Sequence, residues 1–393
     1  MKRLNVLMVL FAIVATAFGQ NYSVELVRKA ESGDAKAQAQ LGVCYERGDG
    51  VAKDYSRAVY WYQKAAAQGQ AVAINNLGVC YMQGMGVSKD VAKGVAYYKQ
   101  ASGLGYAVAQ NNLAACYFNG TGVPQDYAVA FGLFEKSAKQ GNAIAQCNMG
   151  VCYEHGYGVI KDYSRAYYWY NQSACQGYSK AINWFRNKAV RGNADAQNSL
   201  GYYYSNGMGV AKDFQKAFQW YMKSAEQGNH YGQYNLAKCY ADGEGTIQNY
   251  EEAIHWYMKS AEQGNIGSIY DVGLCYYLGR GVLKDIEVAK KWWQKAAEKN
   301  YGGAIIMLGK VYYDEGSQDN LSESYQQAAV YFDRARKDAD PEISGSASFF
   351  LSKLYRFGRG VPQDIAKADA LQKEALEKGW DEAKSLDDLL KDL

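Results

Sequence analysis

Four sets of residues in this sequence have the types and spacing that can do chemistry. Cys44, Cys80, Cys116 and Cys152 fall 36 residues apart, and Cys239 and Cys275 resume that interval. A thiol series of this kind suits disulfides, thiolate metal ligation or plain packing. Gly-x-Gly recurs eight times at one place in the repeat, from Gly48/Gly50 to Gly358/Gly360, which raises a phosphate cradle as an option. The only histidines are His155, His230 and His255, the side chains most suited to a metal or to proton transfer. Finally, Asn76, Asn112, Asn148 and Asn235 recur before a conserved-register aliphatic residue. A row of primary amides can pair with both the N–H and the C=O of a peptide backbone.

The elements that must position these groups follow from one period. Leu41-Gly42-Val43-Cys44-Tyr45 returns at Leu77, Leu113 and Met149, then at Leu200, Leu236, Val272 and Leu308, and closes at Leu351-Ser352-Lys353-Leu354-Tyr355. Ala37, Leu41, Cys44 and Tyr45 make one helical stripe, and Tyr55, Ala58, Trp61, Tyr62, Ala65 and Ala66 make a second. Between them, Gly48 and Gly50 supply positive φ and Asp54 caps the second helix. Gly69, Gly105, Gly141 and their equivalents end it, with Asn300 standing in the matching place. Each unit therefore reads as a helical hairpin, with Trp61-type and Tyr45-type rings in the core.

One hairpin of this size cannot bury its apolar stripe alone, so the units must stack. The expected fold is all-α, a right-handed α/α superhelical solenoid of about nine 36-residue repeats. Two steps are irregular. Residues 179–193 read as a truncated repeat with a short or fused helix, and extra residues are expected in a loop around Asp314 to Ser324 and a linker around Asp338 to Gly345. The organisation is then 1–19 a secretory signal peptide, 20–33 an N-terminal capping half-repeat, 34–178 repeats one to four, 179–193 the truncated repeat, 194–379 repeats five to nine, and 380–393 a C-terminal capping helix. The signal reading rests on Lys2 and Arg3, the apolar run Leu4 to Ala15, and the small residues Ala17 and Gly19. A membrane anchor needs about 20 apolar residues, more than this run offers. A net charge of +3 gives no footprint for nucleic acid.

The pattern carried by Leu41, Gly42, Tyr45, Gly48, Gly50, Val51, Asp54, Ala58, Trp61, Ala66 and Gly69 resembles the Sel-one-like repeat, a cousin of the tetratricopeptide repeat. The resemblance covers nearly the whole mature chain. It implies a scaffold or adaptor that holds other proteins, often exported or envelope-associated in bacteria. One cysteine-rich branch of that family places a disulfide in each unit across the glycine turn, and this sequence lacks the paired cysteines. Equivalent points on stacked helices lie about 8–10 Å or more apart, beyond a disulfide's reach of about 4.4–6.8 Å. The six in-register thiols are therefore expected free and buried, while Cys147 and Cys175 leave one off-register pair open. Some cysteine-rich relatives are catalogued as β-lactam hydrolases, yet the chain contains no Ser-x-x-Lys. Gly-x-Gly here joins two helices instead of following a strand, and the histidines sit at three different positions, so no nucleotide, metal or cofactor site is expected.

What remains is a first-helix face. The residue before each aliphatic is Gln40, Asn76, Asn112, Asn148, Ser199, Asn235, Asp271, Met307 and Phe350. Val72, Val108, Ile144, Asp195 and Tyr231 flank it on one side; Val79, Ala115, Val151, Tyr202, Lys238, Leu274, Lys310 and Lys353 flank it on the other. In a right-handed hairpin solenoid these helices line the concave side. There Asn76, Asn112, Asn148 and Asn235 can bind a peptide backbone while Val72, Val79, Val108, Ile144 and Tyr202 contact its side chains. Equally, the asparagines can bond the neighbouring helix and hold the stack. The expected function is an exported, periplasmic or secreted, non-enzymatic scaffold, monomeric, with another protein's segment as partner. A hydrolase of β-lactam or cell-wall substrates and a glycan-binding solenoid are the alternatives.

Overall fold

The computed structural model describes residues 22–319 and 322–380, so the proposed signal peptide and most of the proposed C-terminal cap lie outside the described residues. The described residues contain helices and turns and no strand. Helix α1 (Val24–Glu31) precedes the hairpins α2/α3 (Ala35–Arg47, Tyr55–Ala67), α4/α5 (Ala71–Gln83, Val91–Gly103), α6/α7 (Ala107–Asn119, Tyr127–Lys139) and α8/α9 (Ala143–His155, Tyr163–Cys175). A single helix, α10 (Ser179–Val190), follows. Then come α11/α12 (Ala194–Asn206, Phe214–Glu226), α13/α14 (His230–Asp242, Tyr250–Glu262), α15/α16 (Ile266–Leu278, Ile286–Glu298), α17/α18 (Gly302–Asp319, Ser322–Ala335) and α19/α20 (Pro341–Phe357, Ile365–Glu377). The chain forms two compact units whose boundary falls inside α10: the first runs to Trp184 with Met208–Val210, the second holds the rest. From α1 to α9 in the first unit and from α11 to α20 in the second, each helix packs on the next, as a tetratricopeptide-like solenoid requires.

Local chemistry explains the hairpins. The Asp54 carboxylate accepts the Arg57 N–H at 3.0 Å, and Asp90, Asp162, Asp213 and Asp285 repeat that cap. The first helices end on a left-handed glycine, such as Gly84 at φ 75°. Two residues later the second glycine of the pair has a further reason to be there. A Cβ on Gly86 would collide with the Tyr55 carbonyl of the preceding repeat, and Gly245 meets Phe214 in the same way. Among the described residues Asn300 is the one non-glycine with positive φ, at 59°.

The core runs between the two helices of each hairpin. Gly78 faces the Tyr98 ring so closely that a Cβ would lie 2.7 Å from it; Gly150 and Tyr170, Gly201 and Tyr221, and Gly309 and Phe332 repeat the arrangement. These rings, with Tyr62, Phe134 and Trp293, are fully or almost fully buried. The Trp61 row is different: Trp61, Trp169, Trp220, Trp256 and Trp292 are only half-buried. The deep aromatic position is thus one residue later than the tryptophans that dominate the pattern, because only that ring points at the small residue on the first helix.

Two expectations about the irregular C-terminal repeats are corrected. Residues 314–319 are the last turns of α17, and Ser322 already begins α18, so the extra residues lengthen a helix instead of a loop. Pro341 is the first residue of α19, where its missing N–H has no partner to lose, and Asp340 caps the helix through the Glu342 N–H at 2.8 Å. Gly345 lies inside that helix against the Cβ atoms of Lys378 and Trp380.

Candidate partner-binding face

Three of the first-helix asparagines hydrogen-bond to the preceding repeat. Asn112 Nδ2 donates to Asn75 Oδ1 at 3.0 Å, Asn148 to Asn111 at 3.0 Å, and Asn235 to Asn198 at 2.8 Å. Asn76 accepts from Asn75 at 3.1 Å. Asn76 and Asn112 are buried, whereas Asn148 and Asn235 keep part of their surface open. One N–H of each donating amide is used, and the second N–H and the oxygen of the half-open pair remain for other partners. Their acceptors, Asn75, Asn111 and Asn198, were not singled out in the sequence. The signal was there as the doublets Asn75-Asn76 and Asn111-Asn112.

The flanking side chains divide. Val72, Val108 and Ile144 are half-buried at the face, and Tyr202 is 43% exposed. Val79 is buried in a cluster with Leu113 and Cys116, so it belongs to the core and not to the face. Lys310 is also buried, paired with Asp314 at 2.8 Å, and Lys353 lies over the Phe349 ring at 4.4 Å. Lys238 alone of those three lysines is exposed.

The Sel1 repeat model matches residues 35–70, 71–106, 107–142, 143–178, 194–229, 230–265, 267–301, 303–340 and 345–370. This chain belongs to the Sel1 repeat family. It is 35% identical to a solved protective antigen of uropathogenic Escherichia coli with the same repeat fold, over 91% of this chain and 80% of that one, with a TM-score of 0.49. It is 29% identical to a Sel1 repeat protein from Oxalobacter formigenes over 81% of this chain and 86% of that one, with a TM-score of 0.45. Over 57 residues it is 44% identical to the secretory immunoglobulin A-binding protein EsiB of Escherichia coli O6:H1, a match that spans 14% of this chain and only 12% of EsiB. The unmatched stretch 179–193 contains the lone helix α10.

Four of the Sel1 repeats carry two further polar ladders. Gln140 donates to Gln110 at 2.8 Å, Gln176 to Gln146 at 2.7 Å, and Gln263 to Gln233 at 2.8 Å, joining the end of a second helix to the first helix of its own hairpin. Ser137, Ser173, Ser224 and Ser260 bond the first carbonyl of that same helix, at 2.6–2.7 Å. The serines and the acceptor glutamines are buried and satisfied within the stack.

All eight cysteines are free, including Cys147 and Cys175. Burial pushes the Cys80, Cys147 and Cys152 thiols up to about 12 and Cys116 up to about 11, so they are inert, neutral packing groups. His155 closes α8 beside Glu154, His230 stacks on Tyr231, and His255 meets Trp256. Among the described residues no three His, Cys, Asp or Glu side chains gather as a metal set, and no helix is long and apolar enough to cross a membrane.

In the second unit Ser199, Asp271, Met307 and Phe350 stand where the first unit has amides. Asp271 takes the ladder position, and burial raises its carboxyl to about 7, with Asp242 adding to the effect and Lys238 opposing it. It is half-buried.

Proposed function

We propose that this Sel1 repeat chain is an exported, non-catalytic scaffold that holds a segment of another protein along the first-helix face of its repeats. Sel1 repeat proteins are typically protein-interaction scaffolds. The observation that carries the reading is the placement of large side chains that the core does not use. Tyr202 and Tyr231, on successive first helices α11 and α13, are 43% and 56% exposed. Rigid, amphipathic tyrosines supply contact area at little entropic cost. In the first unit, Val72, Val108 and Ile144 offer apolar contacts, with the open side of Asn148 beside them. Asn112, bonded to Asn75 of the preceding repeat, supports the face by holding successive first helices in register. EsiB, related over a short stretch, is named for binding another protein, which agrees with this role.

The test is recovery of partner from the native compartment with tagged full chain. Tyr202→Ala with Tyr231→Ala lowers recovery at least tenfold with an unchanged melting curve, while Gln219→Ala, on the exposed side of α12, has no effect. Equal recovery by the unaltered chain and both variants excludes the face. Export is tested by the mass of the mature protein, with cleavage expected after Gly19.

A further inference from the structure

One cavity in the second unit uses no residue of the first-helix face. It has a volume of about 480 Å³ and is lined by Asp213, Phe214 and Gln215 at the start of α12, with Gly243, Gly245, Thr246 and Ile247 from the turn that joins α13 to α14. It therefore lies between two successive hairpins, which meet where Gly245 passes the Phe214 carbonyl too closely for any Cβ. Its size is ordinary for a small-ligand site, which is about 300–1,000 Å³. It is also reachable from solvent: Gln215 is exposed, Thr246 is half-buried, and Ile247 is 87% exposed.

Two of its residues depart from the repeat in a way that folding does not explain. Valine holds the place of Thr246 in the seven other hairpins with this turn, and Val51, Val123, Val282 and Val361 of that series pack on the core. Threonine has the shape of valine and adds a hydroxyl that such packing does not need. Across the cavity stands the amide of Gln215. At the equivalent pair elsewhere the chain has Ala92 with Val123, Ala128 with Val159, and Glu251 with Val282. Neither the Gln215 side chain nor the Thr246 hydroxyl makes a hydrogen bond among the described residues.

The chemistry of the walls selects a neutral ligand. Asp213 accepts the Lys216 N–H at 3.0 Å and pairs with its ammonium at 2.8 Å, so a cation gains little there, while an anion would face the carboxylate. Lys216 holds that carboxyl below its usual range, leaving it an acceptor with about two lone-pair sites still open. Gln215 and Thr246 can each donate and accept. Lys212, 4.4 Å over the Phe214 ring, adds one more donor. Phe214 and Ile247 supply apolar walls. The described residues offer no strand edge for a peptide to join. A sugar ring has the matching character: adjacent hydroxyls that donate to a carboxylate and exchange bonds with an amide and a hydroxyl, and a C–H face that packs on apolar side chains. We infer that this cavity is a binding site for a neutral saccharide, held by Asp213, Gln215 and Thr246 against Phe214 and Ile247.

The experiment measures saturation transfer from the full chain to the ring protons of maltotriose, cellotriose, mannotriose and triacetylchitotriose, with acetyl-trialanine amide as the peptide control. At least one trisaccharide receives transfer and the peptide does not. Thr246→Val and Gln215→Ala install residues that other hairpins carry at these places, so the melting curve is kept, and each weakens binding about three- to tenfold, as expected for one lost hydrogen bond. Ile247→Ala, at an exposed position where Ala52 and Ala211 stand in other repeats, weakens it about threefold. Glu251→Ala, the equivalent of Gln215 one repeat on, has no effect. No transfer to any of the four sugars, or undiminished transfer in Thr246→Val, Gln215→Ala and Ile247→Ala, overturns the site. Equal transfer to the peptide overturns the choice of a saccharide. The site stands apart from the first-helix face, so Tyr202→Ala with Tyr231→Ala leaves sugar binding unchanged; loss of sugar binding in that variant overturns the placement in this cavity.

Discussion

Asn112 donates its side-chain N–H to the side-chain oxygen of Asn75, 37 residues earlier, at 3.0 Å. Both side chains are buried, so this repeat is tied to its predecessor by a polar bond that water does not screen. In a one-dimensional stack, where stability is set by each hairpin and by its interface with the next, such a bond fixes the spacing of the face it belongs to.

Asn112→Ala is expected to lower stability by about 1–3 kcal/mol, since it leaves the buried Asn75 oxygen without its donor. Urea unfolding of the single and double variants checks this. Asn75→Ala with Asn112→Ala should cost less than the two single changes added together.

Gly78→Ala drives a Cβ to within 2.7 Å of the Tyr98 ring and should cost about 1–3 kcal/mol. In a Tyr98→Leu background the added penalty should shrink by more than half, again read from urea midpoints.

Native thiol labelling should modify Cys175, the one cysteine that is not buried, at an observable rate. The other seven should react only as fast as the repeats open. Non-reducing mass analysis should show no disulfide.

Asp271 makes stability pH-dependent. Its folded carboxyl titrates at about 7, above the usual unfolded value of about 3.9, so the folded state holds a proton that the unfolded state releases between those values. This contribution is full below about pH 4 and lost as pH rises through 7, on the order of 1–4 kcal/mol. Asp271→Asn should abolish that slope between pH 4.5 and 8 in matched urea titrations.

The repeat register was legible because Leu41, Gly42, Tyr45, Gly48, Gly50 and Asp54 each answer a local demand of the hairpin and recur at fixed intervals. Packing partners were less so. Trp61 and Tyr62 are neighbours separated by about 100° on one helix, and the periodicity of a single helix does not say which ring meets Gly42. The Asn112 bond was legible only in half, since its acceptor, Asn75, lies one position out of register in the preceding unit. Pro341 read as a linker because a proline disrupts a helix interior, yet the first helical residue is where it fits. Val79 reads as part of the face from spacing alone, yet it packs in the core with Leu113 and Cys116.

The face itself is tested most directly by a photo-crosslinking residue at Tyr202, compared with one at Gln219, in the full chain in its native compartment. Mass spectrometry of the crosslinked peptides should find one contiguous segment of another protein joined at Tyr202 and nothing comparable at Gln219. The same adducts from both positions, or none from Tyr202, would contradict a scaffold that binds along its first helices.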